Sequence, residues 1–285
     1  MKEVDKNYYF KPIDTSTPGL RDLSIFLCKT FKSSKLSSSY LNWMYNQNPN
    51  GPAIGFNAFI KDELAGHYAL IPLEASYKSK KIKALLSVNT ATGSDHQGQG
   101  LFTILAEKTY FESTKLGFDI VFGVANANSI YGFIKKLDFN HIGQLDSCIS
   151  IGLPKKIMNK NLYRCMTFPL SEKSIRWRLS NPNFRYSEHE TEQINFIANN
   201  MNYFARSIIK IDKSKTKHKN LLIPKLNFWV GISNSYSWNE RPMLSIKMPE
   251  FLKPSPLHLI YKSLTFDINL DKNNIHFEAI NFDAF

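Results

Sequence analysis

Two glycines one residue apart, Gly98 and Gly100, stand in Asp95-His96-Gln97-Gly98-Gln99-Gly100, between a strand-like run and a helical one. That junction constrains the fold more than any other feature of the chain. A glycine lets the backbone turn tightly and approach a ligand with no Cβ in the way. Ahead of it, Ala84 to Thr92 becomes rich in β-branched residues toward its end and reads as a strand. Behind it, Leu101 to Leu116 reads as a helix, with Leu101, Ile104, Leu105, Phe111 and Leu116 on one face. Gly117 closes that helix, and the almost wholly apolar run Phe118 to Val124 reads as a buried central strand.

The residues before this unit continue the alternation. Tyr8-Tyr9-Phe10 with Ile13 reads as a short strand, and Thr15-Ser16-Thr17-Pro18 as a helix start capped by threonine. A second helix carries Tyr40, Leu41, Trp43, Met44 and Tyr45 and stops at Asn48-Pro49-Asn50-Gly51. Ile54 to Ile60 and His67 to Leu73 are strands, with a turn at Lys61-Asp62-Glu63. The expected class is α/β, a mixed central sheet flanked by helices. Glycine becomes scarce after Gly152, which puts a domain boundary near Leu153-Pro154-Lys155-Lys156 and gives domains of 1–152 and 153–285. Trp43 to Asn50 is echoed at Trp177-Arg178-Leu179-Ser180-Asn181-Pro182-Asn183. A polar helix is expected at Glu188 to Asn200. Strands are expected at Tyr203 to Ile211, Met243 to Met248, His258 to Tyr261 and Ile275 to Ile280.

Composition narrows the partners. The formal net charge of +12 favours an anionic one: nucleic acid, anionic lipid, a nucleotide cofactor or a phosphorylated substrate. Lysines cluster at Tyr77 to Lys83 and at Lys213 to Lys219, alternating with small polar residues as exposed hairpin tips do. Three cysteines, Cys28, Cys148 and Cys165, show no paired spacing, so free thiols in a reducing compartment are expected, with no metal site and no disulfide framework. No apolar run reaches the roughly 20 residues that span a bilayer. Met1 to Lys6 does not read as a signal peptide, and a cytoplasmic protein is expected.

Two familiar phosphate loops do not fit the glycine turn. A dinucleotide-binding fingerprint needs a third glycine where Thr103 stands, and a P-loop needs Gly-Lys-Ser/Thr where Gly100 precedes Leu101. The segment instead resembles the cofactor motif of the GNAT acetyltransferases, [QR]-x-x-G-x-[GA], through Gln97 and Gly100, with Phe102 replacing the last small residue. A second motif of that superfamily follows at the proper distance. Phe118 to Val124 leads into Ala125-Asn126-Ala127-Asn128-Ser129-Ile130-Tyr131, then to Lys136-Leu137-Asp138-Phe139, with Asp138 in place of the usual glycine. The resemblance spans roughly Ile54 to Ile142.

What the resemblance implies is an N-acyltransferase that takes acetyl-CoA or another acyl-CoA as co-substrate. The backbone of Thr90, Ala91 and Thr92 would pair with the pantetheine arm. An amide near Val88 to Ala91 would polarise the thioester. Amides of Gln97, Gly98, Gln99, Gly100, Leu101 and Phe102 would hold the pyrophosphate, Asn126 would reach the pantetheine arm, and Ser129 would join it in binding the cofactor. The tyrosine that protonates the leaving thiolate in many members falls at Ile134 here, so Tyr131, almost a turn earlier, becomes the candidate acid. Glu74 and His67 are the candidate bases, with surface and structural roles as their alternatives. The implied acceptor is a primary amine of a small molecule, preferably an amino-sugar nucleotide of bacterial surface-polysaccharide biosynthesis. The second domain is expected to be a degenerate GNAT-like copy that helps wall the acceptor site. Two alternatives remain at this stage: a Fem-type transferase using aminoacyl-tRNA, disfavoured because no RNA-binding module is recognisable, and a non-catalytic binding protein. The free carboxylate of Phe285 is a further group that could enter a cleft.

Overall fold

The computed structural model describes residues 7–157, 164–191, 194–213, 225–233, 235–238, 244–249, 255–265 and 267–282. In chain order these form β1 (Tyr9–Pro12), α1 (Thr17–Phe31), α2 (Ser38–Tyr45), β2 (Ile54–Ile60), β3 (Glu63–Tyr77), β4 (Lys80–Thr92), α3 (Leu101–Lys115), β5 (Ile120–Ala125), α4 (Ile130–Lys136), β6 (Asn140–Gln144) and β7 (Asp146–Ile151). There follow β8 (Lys155–Lys156), α5 (Glu172–Leu179), β9 (Tyr186–Glu190), β10 (Ile194–Asn200), β11 (Ala205–Lys213), β12 (Leu226–Ile232), β13 (Tyr236–Ser237), β14 (Leu244–Lys247), β15 (His258–Ser263) and β16 (Phe277–Glu278). The N-cap of α1 is Ser16, whose side chain accepts from Gly19, rather than a threonine. The first lysine cluster is the tip of the β3–β4 hairpin, where Lys78 and Ser79 both have positive φ as a primed turn requires. Residues 214–219 of the second cluster, Met243 and Phe285 lie outside the described residues.

Two mixed sheets face each other. The first runs β1-β2-β3-β4-β5-β15-β6 and the second β14-β7-β12-β11-β10-β9, with β16 also on β12. Their order reveals a repeat. In the first, α2 leads into the antiparallel run β2-β3-β4, and β4 is parallel to β5. In the second, α5 leads into β9-β10-β11, and β11 is parallel to β12. The free side of each parallel pair is then covered by a strand from the opposite half: β15 lies antiparallel on β5, and β7 on β12. The boundary expected at residue 152 is therefore crossed in both directions, and His258 to Tyr261 belongs to the first sheet.

The repeated Trp motif sits between the sheets. Trp43 and Trp177 stack with ring centroids 4.9 Å apart. Each indole N–H donates to the other residue's backbone carbonyl, at 2.7 and 2.9 Å. A continuous core surrounds them, drawing Leu41, Ile71 and Phe122 from one half and Ile197, Ile209 and Phe277 from the other.

Two sequence expectations fail for identifiable reasons. Residues 188–200 contain strands, not a helix. The polar, helix-favouring start is outweighed by Ile194, Phe196 and Ala198, which alternate into the outer core of the second sheet while Ile197 enters the shared one. On α3 the buried face is Leu101, Leu105, Ala106, Thr109, Tyr110 and Ser113; Phe111 is 65% exposed and Leu116 52%. Thr109 and Ser113 can be buried because their hydroxyls donate to the carbonyls of Leu105 and Thr109. Phe111 instead lies beneath the Lys115 ammonium, 4.2 Å from the ring centre.

Trp177→Phe keeps an aromatic ring but leaves the Trp43 carbonyl without its indole donor, so it should cost about 1–3 kcal/mol in denaturant unfolding. Trp43→Phe should cost a similar amount, and the double variant should lose less than the sum of the two, because both act on one paired contact.

Candidate active site

The chemistry-bearing region forms where β4 and β5 part. Their parallel pairing runs from Ala84–Ile120 to Ser87–Gly123 and stops there, although both strands continue. The cause is a bulge in β4. Val88 pairs with Ala69 and Ala91 with His67, so three steps along β4 match two along β3. The extra residue is absorbed at Asn89, which takes φ 52°, a left-handed conformation open to asparagine at modest cost. The bulge turns the end of β4 away from β5 and opens space on both sides.

On one side is a cleft of ≈ 730 Å³, bordered by Thr90, Ala91 and Thr92, by the glycine turn and start of α3, and by Ser129, Phe133 and Lys136. Gly98 and Gly100 have φ of 78° and 77°. Gly100 is the N-cap of α3 and offers no side chain to the helix, whose first turn holds no acidic residue. Amides at such a helix start are free to bind an anion, and the helix dipole favours it. Gln97, Gly98, Gly100, Leu101 and Phe102 border the cleft, whereas Gln99 does not. His96, unremarked in the sequence, does; its Nδ1 lies 2.8 Å from the Tyr8 hydroxyl.

Phe102, the bulky departure from the motif, is accommodated by α4. Its ring packs edge-on against Phe133 at 5.3 Å, in a space left by Gly132, where an added Cβ would come within 3.2 Å of the ring. Asp138, the other departure, has φ 54°, the conformation that explains a glycine at that place in related motifs.

On the other side of the opening is a cavity of ≈ 410 Å³. Phe31, Lys35, Leu36 and Tyr40 form one wall, Ser87, Asn89 and Asn126 the floor, and Asn183 with Phe184 come from the second half. The Asn183 amide donates to the Lys35 carbonyl at 2.8 Å, and the Lys35 ammonium lies over the Phe184 ring at 5.3 Å. Thr90, Ser129 and Phe133 border both spaces, which therefore meet at the splay. Asn126 borders the smaller cavity and not the cleft; its Oδ1 accepts from the amides of Asn128 and Ser129 and braces the loop.

The candidate acid and bases lie apart from this junction. Tyr131 is 67% exposed and borders neither space. Glu74 accepts the Ser171 amide at 3.0 Å and ties β3 to the start of α5. His67 is fully buried, with Nε2 2.9 Å from the Tyr45 hydroxyl and Nδ1 2.7 Å from Asn57 Oδ1. Burial lowers its pKa to about 3, so it stays neutral, and both nitrogens are occupied. Cys28, Cys148 and Cys165 are free thiols. Among the described residues no cluster of three or more His, Cys, Asp or Glu could hold a metal, and no helix is long and apolar enough to cross a membrane.

Residues 30–141 match the family model described as an acetyltransferase (GNAT) domain. No curated protein matches the chain. Among solved structures, a conserved Enterococcus faecalis V583 protein of unknown function, named a probable N-acyltransferase, aligns with a TM-score of 0.62 at 6% identity, over 90% of this chain and 73% of that one. The fold is of the GNAT type. A GCN5-related N-acetyltransferase from Anabaena variabilis ATCC 29413 aligns at 0.60, with 11% identity and the same coverage. Saccharomyces cerevisiae N-myristoyltransferase with bound myristoyl-CoA aligns at 0.52 and 9% identity, over 74% of this chain and 67% of that one. The GNAT-type arrangement thus extends well beyond the matched domain.

Gly100→Val should abolish acetyl-CoA binding in a calorimetric titration while the protein stays folded. A branched residue at φ 77° costs about 1–2 kcal/mol of backbone strain and puts a side chain into the amide cradle.

Proposed function

We propose that this protein is an acyl-CoA-dependent N-acyltransferase that moves an acyl group, most simply acetyl, to a primary amine of a small molecule. The observation that carries this reading is the pair of spaces meeting at Thr90, Ser129 and Phe133. One has the shape and the amide-rich helix start for the nucleotide and pantetheine of acyl-CoA. The other is sized for a small acceptor. The thioester would lie where they join, beside the unpaired stretch of β4 at Asn89 and Thr90, and an amide there would polarise its carbonyl. Alignment of the two substrates supplies most of the rate.

The smaller cavity also speaks to the acceptor. Among the described residues no Asp, Glu or His borders it, and Lys35 is the cation that does. Such a wall offers an ammonium ion no counter-charge and offers an attacking amine no base. It suits an amine that is partly neutral near pH 7, as one beside electron-withdrawing hydroxyl or ring oxygens is, on a molecule that carries an anionic group. An amino-sugar nucleotide has those properties, and the asparagine amides and aromatic faces of the wall suit a hydroxylated ring. Bacterial surface-polysaccharide biosynthesis would be the setting.

The test is acetyl transfer measured across a set of amines at several pH values. We expect amino-sugar nucleotides to be acetylated faster than polyamines, with the rate rising as the acceptor's own ammonium loses its proton. Exclusive acetylation of polyamines would contradict the acceptor assignment, and no transfer to any amine would contradict the enzyme. Tyr131→Phe should lower kcat by less than about tenfold, since Tyr131 is exposed and borders neither space. A loss of several hundredfold, at unchanged acetyl-CoA affinity, would make Tyr131 the acid after all.

A further inference from the structure

The bulge that opens β4 is attached to a buried chain of hydrogen bonds that the mechanism above does not use. Asn89, its left-handed residue, donates from Nδ2 to the Tyr45 hydroxyl oxygen at 3.0 Å. Tyr45 in turn lies 2.9 Å from His67 Nε2, and His67 Nδ1 lies 2.7 Å from Asn57 Oδ1. Four elements contribute one residue each: β4, α2, β3 and β2. Tyr45 and His67 are fully buried and their rings stack, with centroids 5.9 Å apart.

We propose that His67 is a positioning residue, which acts through Tyr45 to hold Asn89 and the β4 bulge in the shape that acyl transfer requires. The proposal rests on the acyl-transfer reading above. The donors run in one direction. A neutral imidazole has a single N–H, and Asn57 Oδ1 takes it, so Nε2 can only accept from the Tyr45 hydroxyl. The Tyr45 oxygen is then left to accept from Asn89. Burial keeps both rings uncharged, lowering the pKa of His67 and raising that of Tyr45, so the direction does not change across the pH range in which the protein works. The effect reaches both spaces. Asn89 borders the smaller cavity, and its neighbour Thr90 borders the cavity and the cleft. Neither has a strand partner, since β3 pairing skips them and β5 pairing ends at Ser87. Their conformation therefore depends on side-chain attachment, which for Asn89 comes from the Tyr45 hydroxyl at 3.0 Å and, more weakly, from the Met44 sulfur at 3.7 Å.

The test compares wild-type protein with Tyr45→Phe, His67→Gln, His67→Phe and the double variant Tyr45→Phe/His67→Phe. Acetyl transfer from acetyl-CoA to hydroxylamine gives kcat, and titration calorimetry gives the acetyl-CoA Kd. Tyr45→Phe should lower kcat by at least about tenfold while Kd stays within about threefold. His67→Gln, whose amide can both accept from Tyr45 and donate to Asn57, should retain more activity than His67→Phe. The double variant should be no slower than the slower single one, because all three break one chain. None should shift the pH profile, as loss of a general base would. Asn89→Ala, at the half-buried end of the chain, should reproduce the kcat loss without disturbing the core, so the proposal stays testable if a buried variant fails to fold. Unchanged kcat in Tyr45→Phe or Asn89→Ala, or additive losses in the double variant, would overturn the positioning role and leave the transfer reading standing. Absence of acetyl-CoA binding to wild-type protein would overturn both.

Discussion

A buried indole N–H left without an acceptor costs stability, and at Trp43 and Trp177 one contact supplies two acceptors. Trp43 and Trp177 face each other in the core, stacked, each donating to the other's backbone carbonyl. Neither bond forms unless both helices, α2 and α5, are in place, so the contact fastens two halves that share a plan. The rest of the architecture follows from that fastening. The halves sit close enough to exchange a strand each, β7 into one sheet and β15 into the other, and to share one apolar core. The same apposition brings Asn183 and Phe184 to the wall of a cavity whose floor is built by β4 and β5.

The two parallel strand pairs of the repeated plan are completed differently. In the first half, residues 93–119 cross from β4 to β5 and include the glycine turn and α3, leaving a cleft beside the splay. In the second, β11 and β12 pair from Ala205–Leu226 to Ile208–Trp229 and are joined through residues 214–225, a connection less than half as long. The corresponding space is taken by the chain itself. Phe277 and Glu278 pair with Ile232 and Gly231 of β12, and the Glu278 carboxylate accepts the Ile211 amide of β11 at 3.1 Å. A strand and a carboxylate thus satisfy backbone groups that, in the first half, face an open cleft. The second half repeats the strand plan of the first, with β16 and Glu278 placed on β12 and β11.

Much of the first half was legible because its signals are local. Pro18, the Asn48-Pro49-Asn50-Gly51 breaker and Gly117 act within a few residues of the elements they punctuate, and the glycine turn identifies its own geometry. The Trp echo was legible too, although nothing in the sequence could say that the two copies touch. What could not be read depends on distant packing. The strand at 194–200 is imposed by burial on both faces of the second sheet, and the strand at 186–190 by pairing along its edge, against a locally helical composition. The placing of β15 in the first sheet is a long-range pairing with no local mark. His67 reads as a base because histidine has suitable chemistry; its burial and its two occupied nitrogens depend on distant packing that no local pattern marks. The Asn89 bulge left one trace, an asparagine inside a β-branched strand, which tolerates a left-handed backbone better than its neighbours would.

We propose that the duplicated plan carries one open acyl-CoA cleft and one place filled by the chain's own Phe277–Glu278 strand. The most direct test is the stoichiometry of acetyl-CoA binding to the intact protein by titration calorimetry, with bulk tRNA titrated in parallel at moderate salt. One acetyl-CoA is expected to bind per chain, with no saturable tRNA binding. Two equivalents per chain would show that the second half kept a cofactor site, and tRNA binding in place of acetyl-CoA would show that the glycine turn had been assigned the wrong ligand.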